Sequence, residues 1–300
     1  MKEHIIGVFD SGVGGLTIMK EILFQIPEGK VIYLGDTARV PYGSRSREEL
    51  IRFGEEICSF LINEGAEVIV AACNTSSANA LPVLKEKFDL PFIGTIEPGA
   101  EAAVQATKNG KIGLIATEAT VGSNAYNLAV EKILDRGILP QDEELAQDWV
   151  RGKKTIELVK AQACPLFVPL VEKGLFHSSE AREVAQGYLT EIQEAQVDTL
   201  ILGCTHYPYL TEVIESVLGE EILLIDPAQS MVEELKEVLR TLDGQKGEGS
   251  LRNEEGRCFE ERHRFEERHR FFVSGDPELF RQVGNTLLPG VISHVEKVNW

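Results

Sequence analysis

The cysteines of this chain offer no pairing pattern. There are five, an odd number, scattered along the sequence without a C-x-x-C. Such usage suits free thiols in a reducing compartment, not a disulfide scaffold. Long apolar runs are also missing. No stretch of about 18 apolar residues occurs, so no membrane-spanning helix is expected. The start, MKEHIIGVFDSG, has neither the apolar core nor the small-residue cleavage site of a secretory signal. Basic residues are in deficit, with 30 Lys and Arg against 48 Asp and Glu, for a net charge of -18. A nucleic-acid backbone is a poor partner for such a surface. There is no G-x-G-x-x-G, no Walker loop and no Cys/His cluster with zinc spacing. No lysine stands in a Schiff-base context. Nucleotide, metal and pyridoxal phosphate are therefore not expected. What remains is a cytoplasmic protein with a small-molecule ligand.

The chain has 300 residues, 43% of them hydrophobic, enough for two domains with real cores. Buried strands are expected at residues 5–9, 31–34, 68–72, 91–96, 112–116, 199–203 and 222–225. Between them lie amphipathic helices, one striped by Leu16, Met19, Leu23 and Ile26, another by Leu50, Gly54, Ile57 and Leu61. Strand then helix, repeated, predicts α/β architecture with mainly parallel sheets flanked by helices. Three echoes run through the chain in the same order. IGVFDSGVGG resembles IGLIATEATVG, VIVAACNTSSA resembles LILGCTHYPYL, and FIGTIEPGAE resembles LLIDPAQSM. They predict two related lobes with a cleft between them. Glu97-Pro98 and Asp226-Pro227 mark the crossings. Residues 1–97 and 226–300 then form the first lobe and 98–225 the second. Residues 243–270, polar and ending in a tandem FEERHR, read as a surface insertion, with His263 and His269 as exposed polar residues and Cys258 as a bystander.

Cys73 and Cys204 follow matched strands, in ACNT and GCTH. Ligands of open parallel sheets bind beyond the carboxyl ends of the strands. Amide N–H groups at a helix start can hold an anion and lower a thiol pKa. Two identical groups at matched positions suit inversion of a tetrahedral carbon through a carbanion. One removes a proton from one face and the other returns one to the opposite face. A buried cysteine is more often a small hydrophobe, which is the reading for Cys58 and Cys164. The polar followers Asn74-Thr75 and Thr205-His206 set the matched pair apart. Asp10 and Ser11 can cap a helix or face a ligand, and Gly12, Gly14 and Gly15 allow close backbone approach. Pro41-Tyr42-Gly43 reads as a turn with N–H groups free for a carboxylate. His206 lies near enough to Cys204 to assist proton transfer.

The segments FDSGVGG, GDTARVPYG, AACNTSSA, EPG, GCTHYP and SGD, in this order, resemble the glutamate racemases of bacterial cell-wall synthesis. That resemblance implies a cofactor-independent racemase that interconverts L- and D-glutamate and supplies D-glutamate for peptidoglycan. It implies Cys73 and Cys204 as catalytic residues, Cys73 acting on the D-isomer and Cys204 on the L-isomer, with Asp10, His206 and Glu172 as auxiliaries. It carries over Asp10, Ser11, Tyr42, Gly43, Asn74, Thr75, Thr205 and His206 as substrate-binding. Homodimers are common in the family, but these residues do not decide the oligomeric state. Three rivals stay open: a racemase of aspartate or another acidic amino acid, a non-catalytic two-lobed binding protein for an acidic metabolite, and a redox protein pairing Cys73 with Cys204.

Overall fold

The structure, a computed structural model, describes residues 4–245 and 268–300. It contains two parallel sheets. The first is built from β1 (Ile5–Asp10), β2 (Lys30–Gly35), β3 (Val68–Ala71), β4 (Phe92–Gly94), and, late in the chain, β9 (His269–Val273) and β10 (Glu296–Lys297). Their order is β10-β9-β2-β1-β3-β4. The second holds β5 (Lys111–Ala116), β6 (Glu157–Ala163), β7 (Thr199–Gly203) and β8 (Leu223–Ile225), ordered β6-β5-β7-β8. All described pairings are parallel.

Successive side chains of a strand point to opposite faces, and each sheet has a core on both. In the first, Ile6, Val8, Val31 and Tyr33 face one way, and Phe9, Ile32, Leu34 and Ile69 the other. In the second, Ile112, Leu114 and Ile201 oppose Ile115, Leu200 and Leu202. Helices supply the covering layers. α1 (Leu16–Gln25) buries Leu16, Ile18, Met19 and Ile22, so Ile22 takes the place expected for Leu23, which is half-buried. α2 (Arg47–Asn63) starts at a capping box. Ser46 Oγ accepts from the Glu49 amide at 3.2 Å, and Glu49 accepts from the Ser46 amide at 3.0 Å. Such a cap is worth about 1 kcal/mol. Leu50, Gly54, Ile57 and Leu61 of α2 are buried as expected, joined by Phe53 and Cys58.

The three sequence echoes fall on β1 and β5, β3 and β7, and β4 and β8. Within the two sheets these strands hold equivalent places, since β2-β1-β3-β4 matches β6-β5-β7-β8. The fourth equivalence, β2 with β6, has no sequence echo. β6, ELVKAQA, is a half-exposed edge strand with no apolar run. Each crossing lies at the start of a helix. Residue 96 opens α5 (Ile96–Ala106) rather than ending a strand, and Glu97-Pro98 lies in that helix's first turn. Ala100, Ala103 and Val104 of α5 join the second sheet's core. After Asp226-Pro227, α12 (Ala228–Gln245) returns to the first sheet through Met231, Val232, Leu235 and Leu239.

The expected insertion at residues 243–270 needs correcting at both ends. Asp243 lies within α12, and His269 and Arg270 open β9, where His269 is only 5% exposed. Its burial lowers the imidazole pKa to about 4. HRFFV pairs with β2, so the repeat's last two residues belong to the sheet. Cys258 and His263 lie outside the described residues.

Candidate active site

In both sheets the chain leaves the central strand in opposite directions, β2 to one side of β1 and β3 to the other, β6 and β7 likewise around β5. Such switch points are where open α/β sheets bind ligands. Asp10 ends β1 and Cys73 follows β3. Thr117 follows β5 and Cys204 follows β7.

One cavity of about 70 Å³ receives residues from both switch points. Ser11, Tyr42, Gly43, Cys73 and Thr75 line it from the first sheet's side, and Thr117, Glu118, Val168, Cys204, Thr205 and His206 from the second. A larger cleft of about 740 Å³ lies beside Asp198 and Glu221, but no thiol lines it among the described residues. Both thiols of the smaller cavity are free and buried, Cys73 at 4% and Cys204 at 6% exposure. Among the described residues, no Lys or Arg lines this cavity. Among the described residues, no cluster of His, Cys, Asp or Glu could hold a metal ion.

Asp10, Asn74 and Glu172 are not among the lining residues, but Asn74 lies in the chain between two that are, Cys73 and Thr75. Asp10 is fully buried. One of its oxygens accepts from the Gly12 amide at 2.9 Å, the other from the Thr205 hydroxyl at 3.1 Å. It thus shapes its own loop and ties that loop to the second sheet. Glu172, the last residue of α9 (Phe167–Glu172), pairs with His206 Nε2 at 2.7 Å, and His206 Nδ1 lies 3.8 Å from Cys204 Sγ. Carboxylate, imidazole and thiol therefore form one line. Burial works against charge on His206, but hydrogen bonds to Cys204 and Glu172 outweigh it and raise the imidazole well above its ordinary value. Burial likewise pushes the Glu172 carboxyl up, and the bond to His206 more than reverses this.

Two of the glycines, Gly12 and Gly14, leave room for neighbouring side chains. A Cβ on Gly12 would come within 2.4 Å of Glu172 Oε1, and one on Gly14 within 2.4 Å of His206 Nδ1 and 2.5 Å of Thr205 Oγ1. They admit side chains of the second sheet. The thiol expectation also changes at Cys73. It caps α3 (Asn74–Asn79), yet burial, then the nearby Asp10, push the thiol up to about 12. One short helix start does not offset the loss of water.

A sequence profile for Asp/Glu/hydantoin racemases matches residues 17–235. A glutamate racemase of Geobacter metallireducens is 42% identical, over 98% of this chain and 96% of that protein. The chain belongs to the Asp/Glu/hydantoin racemase family. Among solved structures, a glutamate racemase isoform from Bacillus anthracis superposes with a TM-score of 0.78 at 34% identity, covering 100% of this chain and 98% of that one. The glutamate racemase of Francisella tularensis in complex with D-glutamate gives 0.78 at 33% identity, covering 100% and 98%.

Within this racemase fold, sequence reasoning missed Thr117, Thr120 and Tyr126. The hydroxyls of Thr75 and Thr117 lie 2.9 Å apart, and those of Thr117 and Thr120 3.0 Å. The signal was present. In the first echo Thr117 stands opposite Ser11, and both reach the cavity. Asp36, at the end of β2, was also overlooked. It is fully buried and accepts from the hydroxyls of Tyr42 and, at 2.6 Å, Ser274.

The Glu172–His206 pair makes stability depend on pH. A depressed carboxyl stabilises above its unfolded pKa of about 4.3 and loses that as pH falls through the folded value. A raised imidazole stabilises fully below its unfolded pKa of about 6.5 and loses that as pH rises through the folded value. Glu172→Gln is expected to cost about 1–3 kcal/mol, most between those two pKa values and less to either side. Urea unfolding across pH measures this, and a loss independent of pH would speak against the ion pair.

Proposed function

We propose that this chain interconverts L- and D-glutamate without a cofactor, by proton transfer at Cα between Cys73 and Cys204. The observation that carries the reading is the convergence of two buried thiols, from matched positions of two sheets, on one cavity. In the L to D direction a Cys204 thiolate takes the Cα proton, leaving a carbanion whose charge spreads onto the α-carboxylate. The Cys73 thiol then delivers its proton to the other face. The reverse reaction exchanges the roles. A Cys73 thiol held up near 12 suits the donor role. When Cys73 must act as base, the substrate ammonium offsets that shift, since a nearby cation favours the thiolate. Glu172 and His206 give Cys204 a proton partner.

Substrate carboxylates would be held by hydroxyls of Ser11, Thr75 and Thr205, by the amides of Tyr42 and Gly43, and by Asn74. These neutral donors, aimed at charge that grows in the transition state, aid the chemical step. The names of the relatives support glutamate, and the Francisella structure's D-glutamate supports this class of ligand. On this reading the lobes are residues 1–97 with 226–300 and residues 98–225, and the D-glutamate formed in the cytoplasm serves peptidoglycan synthesis. No described helix is long and apolar enough to cross a membrane.

Optical rotation on L-glutamate and, separately, L-aspartate, with no added cofactor, tests this. Loss of rotation with glutamate is expected. Activity on aspartate alone would transfer the reading to that substrate, and inactivity on both would favour a binding or redox role.

A further inference from the structure

Asn74 opens α3 directly after Cys73 and is 2% exposed. Its Oδ1 accepts from the Tyr126 hydroxyl at 2.7 Å. Its Nδ2 is buried and has no hydrogen-bond partner among the described residues. A terminal amide presents an acceptor at one end and two donors at the other. Buried donors are nearly always paired, so one left over beside a cavity for a dicarboxylic substrate is a group kept for that substrate.

Tyr126 comes from the other half of the molecule. It sits on α7 (Ala125–Asp135), 1% exposed, its ring packed in the second sheet's core with Ile133 and Ile201. A ring so enclosed has little freedom, and its hydroxyl is correspondingly fixed. A Cβ on Gly99 would lie 3.3 Å from the Tyr126 hydroxyl and 3.0 Å from Pro227. Gly99 of the first crossing thus sits close to both the Tyr126 hydroxyl and Pro227 of the second crossing.

We infer that Tyr126 is a positioning residue, whose hydroxyl orients the Asn74 amide so that Nδ2 faces a substrate carboxylate. The inference rests on the glutamate reading of the cavity. With Oδ1 taken by the phenolic proton, only the NH2 end remains to be offered. A turned amide would set a carbonyl oxygen against a carboxylate. Because Tyr126 and Asn74 are carried by elements of different sheets, the bond also links substrate capture to the juxtaposition of the two sheets.

Steady-state racemisation by Tyr126→Phe, measured from both enantiomers, tests the assignment. KM is expected to rise about tenfold, roughly the loss of one oriented hydrogen bond to a charged group, with kcat changed far less. Asn74→Ala raises KM further, and adding Tyr126→Phe to it changes nothing more, because the group being oriented is gone. A hydroxyl that served folding alone would lower the unfolding midpoint, leave KM in place and act equally in both backgrounds. A second variant keeps Tyr126 intact and stands should Tyr126→Phe not fold. Asn74→Asp, with Oδ1 still accepting from Tyr126, turns an oxygen toward the substrate and is expected to lose about a hundredfold in kcat/KM. The inference is overturned by a KM within twofold of wild type in Tyr126→Phe, by additivity with Asn74→Ala, or by wild-type activity in Asn74→Asp. Wild-type protein inactive on glutamate would instead overturn the proposed function on which it rests.

Discussion

Cys73→Ala and Cys204→Ala are each expected to lose about a thousandfold or more of the racemisation rate, while unfolding close to the wild-type denaturant midpoint. A positioned acid or base contributes about 10²- to 10⁴-fold, and a two-base inversion stops when either is missing. Alanine cannot hold a proton, and no neighbour replaces the sulfur on the same face. His206 lies beside Cys204 but is fixed between its sulfur and Glu172. The structural cost is small, since each thiol is a small buried group and the deletion removes one atom. Because L- and D-glutamate are equal in free energy, kcat/KM must fall equally from both sides. This serves as a check on the assay. Near wild-type turnover in either variant, by polarimetry, would remove that thiol from the mechanism.

Gly14→Ala is expected to lower kcat about a hundredfold. The new methyl would meet His206 Nδ1 at 2.4 Å and Thr205 Oγ1 at 2.5 Å, distances that real contacts do not reach. Either the loop or the imidazole must move. His206 is the partner of Cys204, and Thr205 ties Asp10 to the second sheet. A displacement near 1 Å at reacting groups costs on the order of 10²-fold, and overpacking adds about 1–3 kcal/mol of destabilisation. Gly12→Ala should be milder. There the methyl meets the carboxylate end of Glu172, a flexible side chain that can swing away. Turnover within threefold of wild type in Gly14→Ala would mean that the two sheets do not approach through this loop as described.

Much of this arrangement was legible in the sequence because a buried parallel strand writes itself as a short apolar run. β1, β3, β5 and β7 all read that way, and their echoes match Cys73 with Cys204. What the sequence hid has physical causes. β6 is an edge strand, half in water, so Lys160 and Gln162 interrupt its pattern. β9 borrows its first two residues from a repeat that looks like surface, because neither His nor Arg announces burial in a sheet. The strand expected at 91–96 ran too far because Ile96 continues the apolar run, yet Ile96 opens α5, where a proline within the first turn is well tolerated. At the site, residue identity was readable but depth was not. Asp10 and Asn74 carry polar groups of the kind a substrate needs, and only the fold shows Asp10 buried and bonded to Thr205, and Asn74 held by Tyr126 between the lining residues Cys73 and Thr75. A helix start suggested a lowered thiol pKa at Cys73. The extent of its burial, invisible in sequence, reversed the sign.

The most direct test of the two-thiol account follows deuterium at Cα when L-glutamate is incubated with wild-type protein in deuterium oxide. Early in the reaction, the account predicts D-glutamate carrying solvent deuterium at Cα and recovered L-glutamate still carrying protium, because the proton taken by one sulfur is not the one delivered by the other. Protium retained in the product, or deuterium entering recovered L-glutamate as fast as D-glutamate forms, would contradict it.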